Sequence, residues 1–358
     1  MAVASRVYLD HAATTPVLPR ARAAVMEAME RWANPSSPHA QGRAARAALE
    51  EARARIGAAL GLPHAILFTG GASEGIAAVF ARVVAGGRVV SAAEHDAVTR
   101  IAGERAVTCS VDADGLADPE ALAAAMASAG PRPLVAIQLV NPQTGVVQDV
   151  ERIGGTVRAA GGLWLCDATQ GAGKMPLPDA DFLVLSAHKF GGPPGIGALL
   201  VRDLATLAAT GGQEQGYRAG TENLPGVAGM AAALDEGRDW LARVAELRGT
   251  CDAAIRAAGG EIVAAASPRL PTIASYRMPG VSAAAQLVRL DLAGIAVSAG
   301  SACSSGTMKP SPVLAAMGVP HPDEVIRVSF GRTTTDGDVQ CFLAAWGAIA
   351  ADVRARAA

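Results

Sequence analysis

Lysine is scarce in this chain. Of 31 basic residues only Lys174, Lys189 and Lys309 are lysines, and the rest are arginines. A compositional bias toward arginine explains most of that skew. It nevertheless shortens the list of side chains able to form an imine, which a guanidinium cannot do. Aromatics are also few, at 4%, and charged residues make up only 18%. Positive charge is not in excess: 31 basic residues face 33 acidic ones, for a net charge of −2. Nucleic acid and anionic membrane surfaces are bound through clustered positive charge, so neither is expected as a main partner.

Other absences narrow the setting. The Ala-rich stretches are broken by Gly, Pro, Arg and Asp, leaving no run of about 18 strongly apolar residues and hence no expected membrane span. The opening MAVASRVYLD lacks the apolar core of a secretory signal. The five cysteines, Cys109, Cys166, Cys251, Cys303 and Cys341, have no CxxC or Cys/His spacing of the zinc type. An odd cysteine count without a signal fits free thiols in a reducing cytoplasm. There is no internal repeat and no low-complexity linker.

What is present is a 358-residue chain, 51% hydrophobic, long enough for about two domains and a large core. Residues 18–32 and 43–60 read as Ala/Arg/Glu-rich helices flanking a Pro/Asn/Ser loop that starts at Ala33. Short apolar runs then alternate with helical stretches: strands at Ile66–Phe68, Arg88–Ser91, Leu134–Val140, Leu163–Cys166, Asp181–Ser186 and Ile196–Val201. Strands separated by helical crossovers predict a mostly parallel sheet covered on both faces. After a long helical stretch from Pro225 to about Ala258, strands near Thr272–Tyr276 and Val325–Phe330 and helices near Ala283–Asp291 and Asp336–Arg354 predict a smaller α+β domain.

Parallel sheets bind ligands beyond the carboxyl ends of their strands, so the loops there matter most. Phe68-Thr-Gly-Gly-Ala72-Ser73-Glu-Gly75 lies between a strand and a helix, where free backbone N–H groups and a hydroxyl suit a phosphate. Alone, a plain capped turn fits it equally well, and no Lys-Ser/Thr follows to make a Walker loop. Asp167, past a buried strand, needs a cationic or hydrogen-bonding partner. A protonated pyridine nitrogen would serve, and so would an ordinary strand-end turn. Ser186-Ala-His188-Lys189 precedes a glycine pair; an imine-forming Lys189 makes sense there, with Ser186 and His188 in reach of a phosphate. Lys174 and Lys309 read as solvated loop charges. Cys303 sits in a Gly/Ser/Ala run with little to pack against, the setting of a reactive thiol or of an inconsequential loop cysteine, whereas the other four cysteines read as core or helix residues.

Taken together, these segments resemble the cysteine desulfurases, pyridoxal-phosphate enzymes of the class V aminotransferase family. The resemblance runs in order along nearly the whole chain: YLDHAATTP from Tyr8, NPSSPH from Asn34, FTGGASE from Phe68, Glu94-His95, DATQ from Asp167, SAHK from Ser186, GGQEQGYRAGTEN from Gly211, SAGSACSS from Ser298 and IRVSFGRTT from Ile326. It implies an α/β fold of the aspartate aminotransferase type (pyridoxal-phosphate fold type I). A large domain would span 13–250, and a small one would comprise 1–12 and 251–358, carrying the reactive cysteine. A homodimer with active sites at its interface is also implied.

The resemblance further implies that Lys189 holds pyridoxal 5'-phosphate covalently, that Asp167 faces the pyridine nitrogen and that Gln170 meets the ring hydroxyl. His95 would stack on the ring and move protons. Ala72, Ser73, Ser186 and His188 would hold the phosphate, with Thr221 reaching in from the second subunit. Arg327, with Asn34 and Asn141, would hold the substrate, Arg327 by its carboxylate. Cys303 would take the sulfur of L-cysteine as a persulfide, leaving alanine, and pass it to an acceptor or scaffold protein for iron–sulfur cluster or thio-cofactor synthesis.

Two departures from the family pattern stand out. Pro142 occupies a position where the family commonly has an asparagine, with Asn141 and Gln143 as the neighbours that could stand in. The stretch after the phosphate loop, Gly75-Ile-Ala-Ala78, is apolar rather than polar. The competing readings are a selenocysteine lyase or another class V enzyme, and a weakly active homologue that serves as a binding partner.

Overall fold

The computed structural model describes residues 6–300 and 311–357. In chain order they form β1 (Val7–Tyr8), α1 (Pro19–Glu30), α2 (Ala40–Leu60), β2 (Ala65–Thr69), α3 (Ala72–Arg82), β3 (Arg88–Ser91), α4 (Asp96–Ala102), β4 (Val107–Cys109), α5 (Pro119–Ala129), β5 (Leu134–Ala136), α6 (Val150–Ala159), β6 (Leu163–Asp167), β7 (Phe182–Ser186) and β8 (Gly197–Val201). There follow α7 (Leu224–Leu234), α8 (Trp240–Ala257), β9 (Glu261–Ile262), β10 (Ile273–Arg277), α9 (Ala283–Leu292), β11 (Ile295–Ala296), α10 (Pro312–Ala316), β12 (Val325–Ser329) and α11 (Asp336–Ala357).

The central sheet has the order β2-β8-β7-β6-β5-β3-β4. Only β8 runs against its neighbours; the other six strands share one direction. β7 and β8 are buried at every position, as a sheet covered on both faces requires. Alternation along β7 assigns Leu183 and Leu185 to the core beneath α2 and α7, and Phe182 and Val184 to the core beneath α3 and α4. The strand expected to reach Val140 stops at Ala136. Two residues on, the backbone N–H of Gln138 donates to the Glu94 carboxylate (2.8 Å), which takes the place of a ladder partner. Short strands at β1, β4, β9 and β11 had no sequence signal strong enough to declare them.

The carboxyl-terminal part builds a three-stranded antiparallel sheet, β12-β10-β9, beside the parallel pair β1-β11. Its core contains Leu9, Tyr276, Ile326, Val328, Phe342 and Trp346. Every apolar residue that α8 buries, from Val244 to Ile255, also belongs to that core. Residue 250 therefore lies inside a helix whose buried face packs as one unit. The amino-terminal segment joins the two bodies: Leu9 is in the second core, and Thr15 N–H donates to the His188 carbonyl (2.8 Å) beside the central sheet. Among the described residues no helix is long and apolar enough to cross a membrane, and no His/Cys/Asp/Glu cluster could hold a metal ion.

Candidate active site

The six co-directional strands bring their carboxyl ends to one edge of the sheet, the side on which such sheets bind ligands. At the end of β2, the chain turns through Gly70 and Gly71 into α3. The Ser186 hydroxyl, at the end of β7, accepts from the Ala72 backbone N–H at 2.8 Å. The neighbouring strand crosses so closely that a Cβ on Gly197 would lie 2.3 Å from the Leu185 carbonyl and 2.7 Å from Gly71 Cα. Ala72 is buried and Ser73 exposed in the first turn of α3, where unpaired N–H groups favour an anion.

At the end of β7, Lys189 directs its amine to the carbonyls of Ala12 and Ala13, both at 2.8 Å. Burial and the Arg327 charge lower its pKa to about 8 against the raising effects of Asp167 and Asp10. An amine in that range has a substantial neutral, nucleophilic fraction near neutral pH. His188 bonds the Thr14 hydroxyl through Nδ1 (3.1 Å), and burial, then the Lys189 charge, push its pKa down to about 4. It is therefore neutral at pH 7 and can offer an anion an N–H but no charge.

Asp167, at the end of β6, accepts from the Thr169 N–H (2.9 Å) and lies close enough to Lys189 to favour the ammonium. Gln170 is buried; its amide nitrogen shares the Ala12 carbonyl with Lys189 (2.9 Å), while its Oε1 and the Thr169 hydroxyl have no partner. Buried polar atoms are normally satisfied, so these two mark where a ligand's hydroxyl or ring nitrogen fits. A helix amino terminus for a phosphate, a carboxylate, an orphaned amide oxygen and a partly neutral lysine amine form a donor set that fits pyridoxal phosphate.

His95 caps α4 by accepting from Ala97 N–H at Nδ1 (3.0 Å), which leaves the proton of the neutral ring on Nε2. The adjacent Glu94 is fully buried; burial first, and then nearby Asp167, raise its carboxyl pKa well above the ordinary value. Arg327, on β12, donates from Nη2 to Asp10 (2.8 Å) and from Nη1 to the Pro142 carbonyl (3.1 Å). Its Nε is buried without a partner. Cys303 lies outside the described residues, but the chain on either side of 301–310 is defined. Ser298 pairs with Arg327 through two backbone bonds (3.1 and 2.7 Å). A Cβ on Gly300 would lie 3.5 Å from Ser311 Cβ, and the Ser311 hydroxyl donates to Gln143. Ser298, just ahead of the segment bearing Cys303, is thus held beside Arg327, and Gly300 and Ser311, which flank that segment, lie close together.

The class V aminotransferase family model matches residues 7–342. The chain belongs to that family. It is 38% identical over 379 residues to the cysteine desulfurase of Gluconacetobacter diazotrophicus, covering 97% of this chain and 94% of that one. With the cysteine desulfurase IscS of Dictyoglomus turgidum it shares 35% over 373 residues, 93% of this chain and 91% of the other. Its fold matches a NifS-like protein from Rickettsia africae with a TM-score of 0.89 and 31% identity, covering 96% of this chain and 99% of that one. A structure of SspA in complex with cysteine matches with a TM-score of 0.78 and 27% identity over 92% of this chain and 99% of that one.

Not every residue implied by membership converges. Asn141 is spent on an internal turn: its Oδ1 accepts from the N–H groups of Gln143 and Thr144 and from the Thr144 hydroxyl, and its amide donates to the Ala93 carbonyl. Gln143 faces Ser311. Both side chains thus have partners within the protein, and the Pro142 carbonyl accepts from Arg327. Asn34 is exposed and accepts from Ser36 N–H (2.9 Å), with no bond to Lys189 or Arg327. Thr221 is also exposed. The preceding loop is anchored to β2: Glu214 holds Arg53 at 2.7 and 2.9 Å and Phe68 N–H at 3.2 Å, and Arg218 donates to the Phe68 carbonyl (2.8 Å).

One expectation is overturned. Lys174 is not a solvated loop charge but is buried, because the turn after β6 packs inward. A Cβ on Gly171 would lie 2.5 Å from the Leu139 side chain, and one on Gly173 would touch Phe190. Burial and the Lys189 charge lower the Lys174 ammonium to about 7. Sequence reasoning also missed His11, whose buried ring is pushed down to about 4 by burial and then by Lys174, and Asp10. The two tight glycines around Lys174 were the signal that this turn meets the core.

Proposed function

We propose that this chain is a cysteine desulfurase that binds pyridoxal phosphate at Lys189, converts L-cysteine to L-alanine and carries the sulfur on Cys303 as a persulfide. One observation carries the reading most: the Lys189 amine, with its lowered pKa, lies close enough to Arg327 to feel its charge, and Ser298, just ahead of the segment bearing Cys303, pairs with that arginine.

When bound, pyridoxal phosphate supplies an electron sink for carbanion chemistry. The chain would supply the rest. Ala72, Ser73, Ser186 and neutral His188 hold the phosphate, while Asp167 and Gln170 fix the ring's polar atoms. Arg327 takes the substrate carboxylate through the N–H groups that Asp10 and Pro142 leave free. The neutral Lys189 amine and His95 Nε2 are the groups positioned to carry protons. The Cys303 thiolate attacks the substrate sulfur; the S–S bond forms as the C–S bond breaks, its electron pair stays on carbon, and a proton there completes alanine.

The persulfide would then pass to an acceptor protein serving iron–sulfur cluster or thio-cofactor synthesis. We also propose a cytoplasmic homodimer, in which Thr221 meets the partner's phosphate site. Exposed Met26, Met29 and Trp32, on one side of α1 and its end, support such a contact. Core membership favours a division into two bodies ahead of α8.

The test is turnover of L-cysteine by the cofactor-loaded protein, with alanine and, in the presence of a reductant, sulfide as products. Full activity in Cys303→Ser would overturn the persulfide step. Equal activity on selenocysteine in that variant would favour a lyase.

A further inference from the structure

Arg327 meets Asp10 in a part-buried ion pair of 2.8 Å, with side-chain exposures of 11% and 21%. The pair stands where the two bodies join. Asp10 bridges to Ser329, two residues beyond Arg327 on the same strand, and the Ser329 N–H donates to the Leu9 carbonyl (2.8 Å). Two and three residues past Asp10, the Ala12 and Ala13 carbonyls hold the Lys189 amine. One short backbone segment therefore carries the partner of the arginine and the partners of the lysine.

We propose that Asp10 is a positioning residue for the reaction: it holds Arg327 in the pose that meets a substrate α-carboxylate. The inference rests on the reading of Arg327 given above. A guanidinium has five N–H donors; Asp10 and the Pro142 carbonyl engage two of them, and the buried Nε remains unpartnered. Asp10 thus orients the group without exhausting it. Among the described residues, the side-chain hydrogen bond that would remain to Arg327 without Asp10 is the 3.1 Å one to the Pro142 carbonyl, and each substrate molecule would bear more of the cost of ordering the group.

The same carboxylate has a second effect that makes the role measurable. Lys189 feels Arg327 from β12, Asp167 from β6 and Asp10, and it lies beside His188 and the buried Lys174. Asp10 offsets the Arg327 charge there. Removing its charge leaves an uncompensated cation near Lys189, and protonation of the linked nitrogen then requires a lower pH.

The test compares wild type, Asp10→Asn, Asp10→Glu and Arg327→Ala as cofactor-loaded enzymes. For Asp10→Asn, KM for L-cysteine should rise about tenfold with kcat within about twofold, the signature of lost uniform binding. The pH midpoint of the visible cofactor absorbance should fall by roughly half a unit or more. Asp10→Glu, which keeps the charge, should restore the wild-type midpoint, and it covers the case in which Asp10→Asn fails to fold. An unchanged or lowered KM in Asp10→Asn, with KM raised in Arg327→Ala, would overturn the role of Asp10. An unchanged KM in Arg327→Ala would instead overturn the reading of Arg327 itself.

Discussion

The Ser186 hydroxyl and the Ala72 backbone nitrogen, 114 residues apart in sequence, stand 2.8 Å from each other. The bond ties the last residue of β7, three residues ahead of Lys189, to the first turn of α3, the turn proposed to hold the phosphate. Ser186→Ala should weaken pyridoxal phosphate binding about tenfold or more, the loss of one hydrogen bond to or beside a charged group. A fluorescence or absorbance titration of the cofactor-free protein checks this; unchanged affinity would remove Ser186 from the phosphate site.

Gly197 shows how tightly that junction is packed. A methyl group there would overlap the Leu185 carbonyl at 2.3 Å and Gly71 Cα at 2.7 Å, and both contacts are backbone atoms that cannot step aside. Gly197→Ala should cost on the order of 1–3 kcal/mol or more in urea unfolding and should loosen cofactor binding with it.

The Lys189 amine, held at about 8, must be neutral to attack the cofactor's aldehyde. Capture of added pyridoxal phosphate should therefore accelerate with rising pH, about tenfold per unit well below that value, and level off above it. Stopped-flow absorbance measures it. A rate that is flat between pH 6 and 9, roughly the range spanning that value, would show that deprotonation of this amine does not limit capture.

Lys174 gives a prediction about stability. Its folded pKa of about 7 lies below the unfolded 10.5. Between those values the unfolded chain binds more protons than the folded one, so stability rises with pH across that window. Below pH 7 the folded state must hold the buried charge. Lys174→Met should therefore stabilise the protein most at pH 6 to 7, and the gain should shrink toward pH 10. Denaturant melts at several pH values check the slope; a gain independent of pH would mean that the charge is compensated.

Glu214 has no exposed side-chain surface and satisfies both Arg53 and the Phe68 N–H. Removing it leaves the buried Phe68 N–H without a partner, while Arg53 keeps Glu50 (2.9 Å) and the Ile66 carbonyl. Glu214→Ala should cost on the order of 1–3 kcal/mol, visible as a lowered denaturation midpoint.

The α/β layering was legible because β6, β7 and β8 are short, continuous apolar runs bounded by turn residues, a pattern that a doubly covered sheet imposes. The placement of Ser186, His188 and Lys189 at and just past the end of a strand was legible because the apolar run of β7 stops there. Asp10 was not, since its partner is 317 residues away, and the Ala12 and Ala13 carbonyls carry no residue identity at all. Lys174 misled because its turn packs, at Gly171 and Gly173, against Leu139 and Phe190, which a linear reading does not bring there. The contact between Arg327 and the Pro142 carbonyl was not legible for a related reason: a backbone oxygen carries no residue identity.

The inward placement of Lys174 and Lys189 has a practical side. Among the described residues no lysine is fully exposed, and the outer charge is carried by guanidinium and carboxylate groups. Reagents that acylate amines, commonly used to fix a protein to a bead or a dye, would find only buried or half-buried targets among the described lysines and would compete at Lys189 with the proposed cofactor. Attachment through surface carboxylates or through the exposed Cys341 thiol would leave Lys189 untouched. Protection of Lys189 from acylation, followed by peptide mass mapping, would in turn measure cofactor occupancy directly.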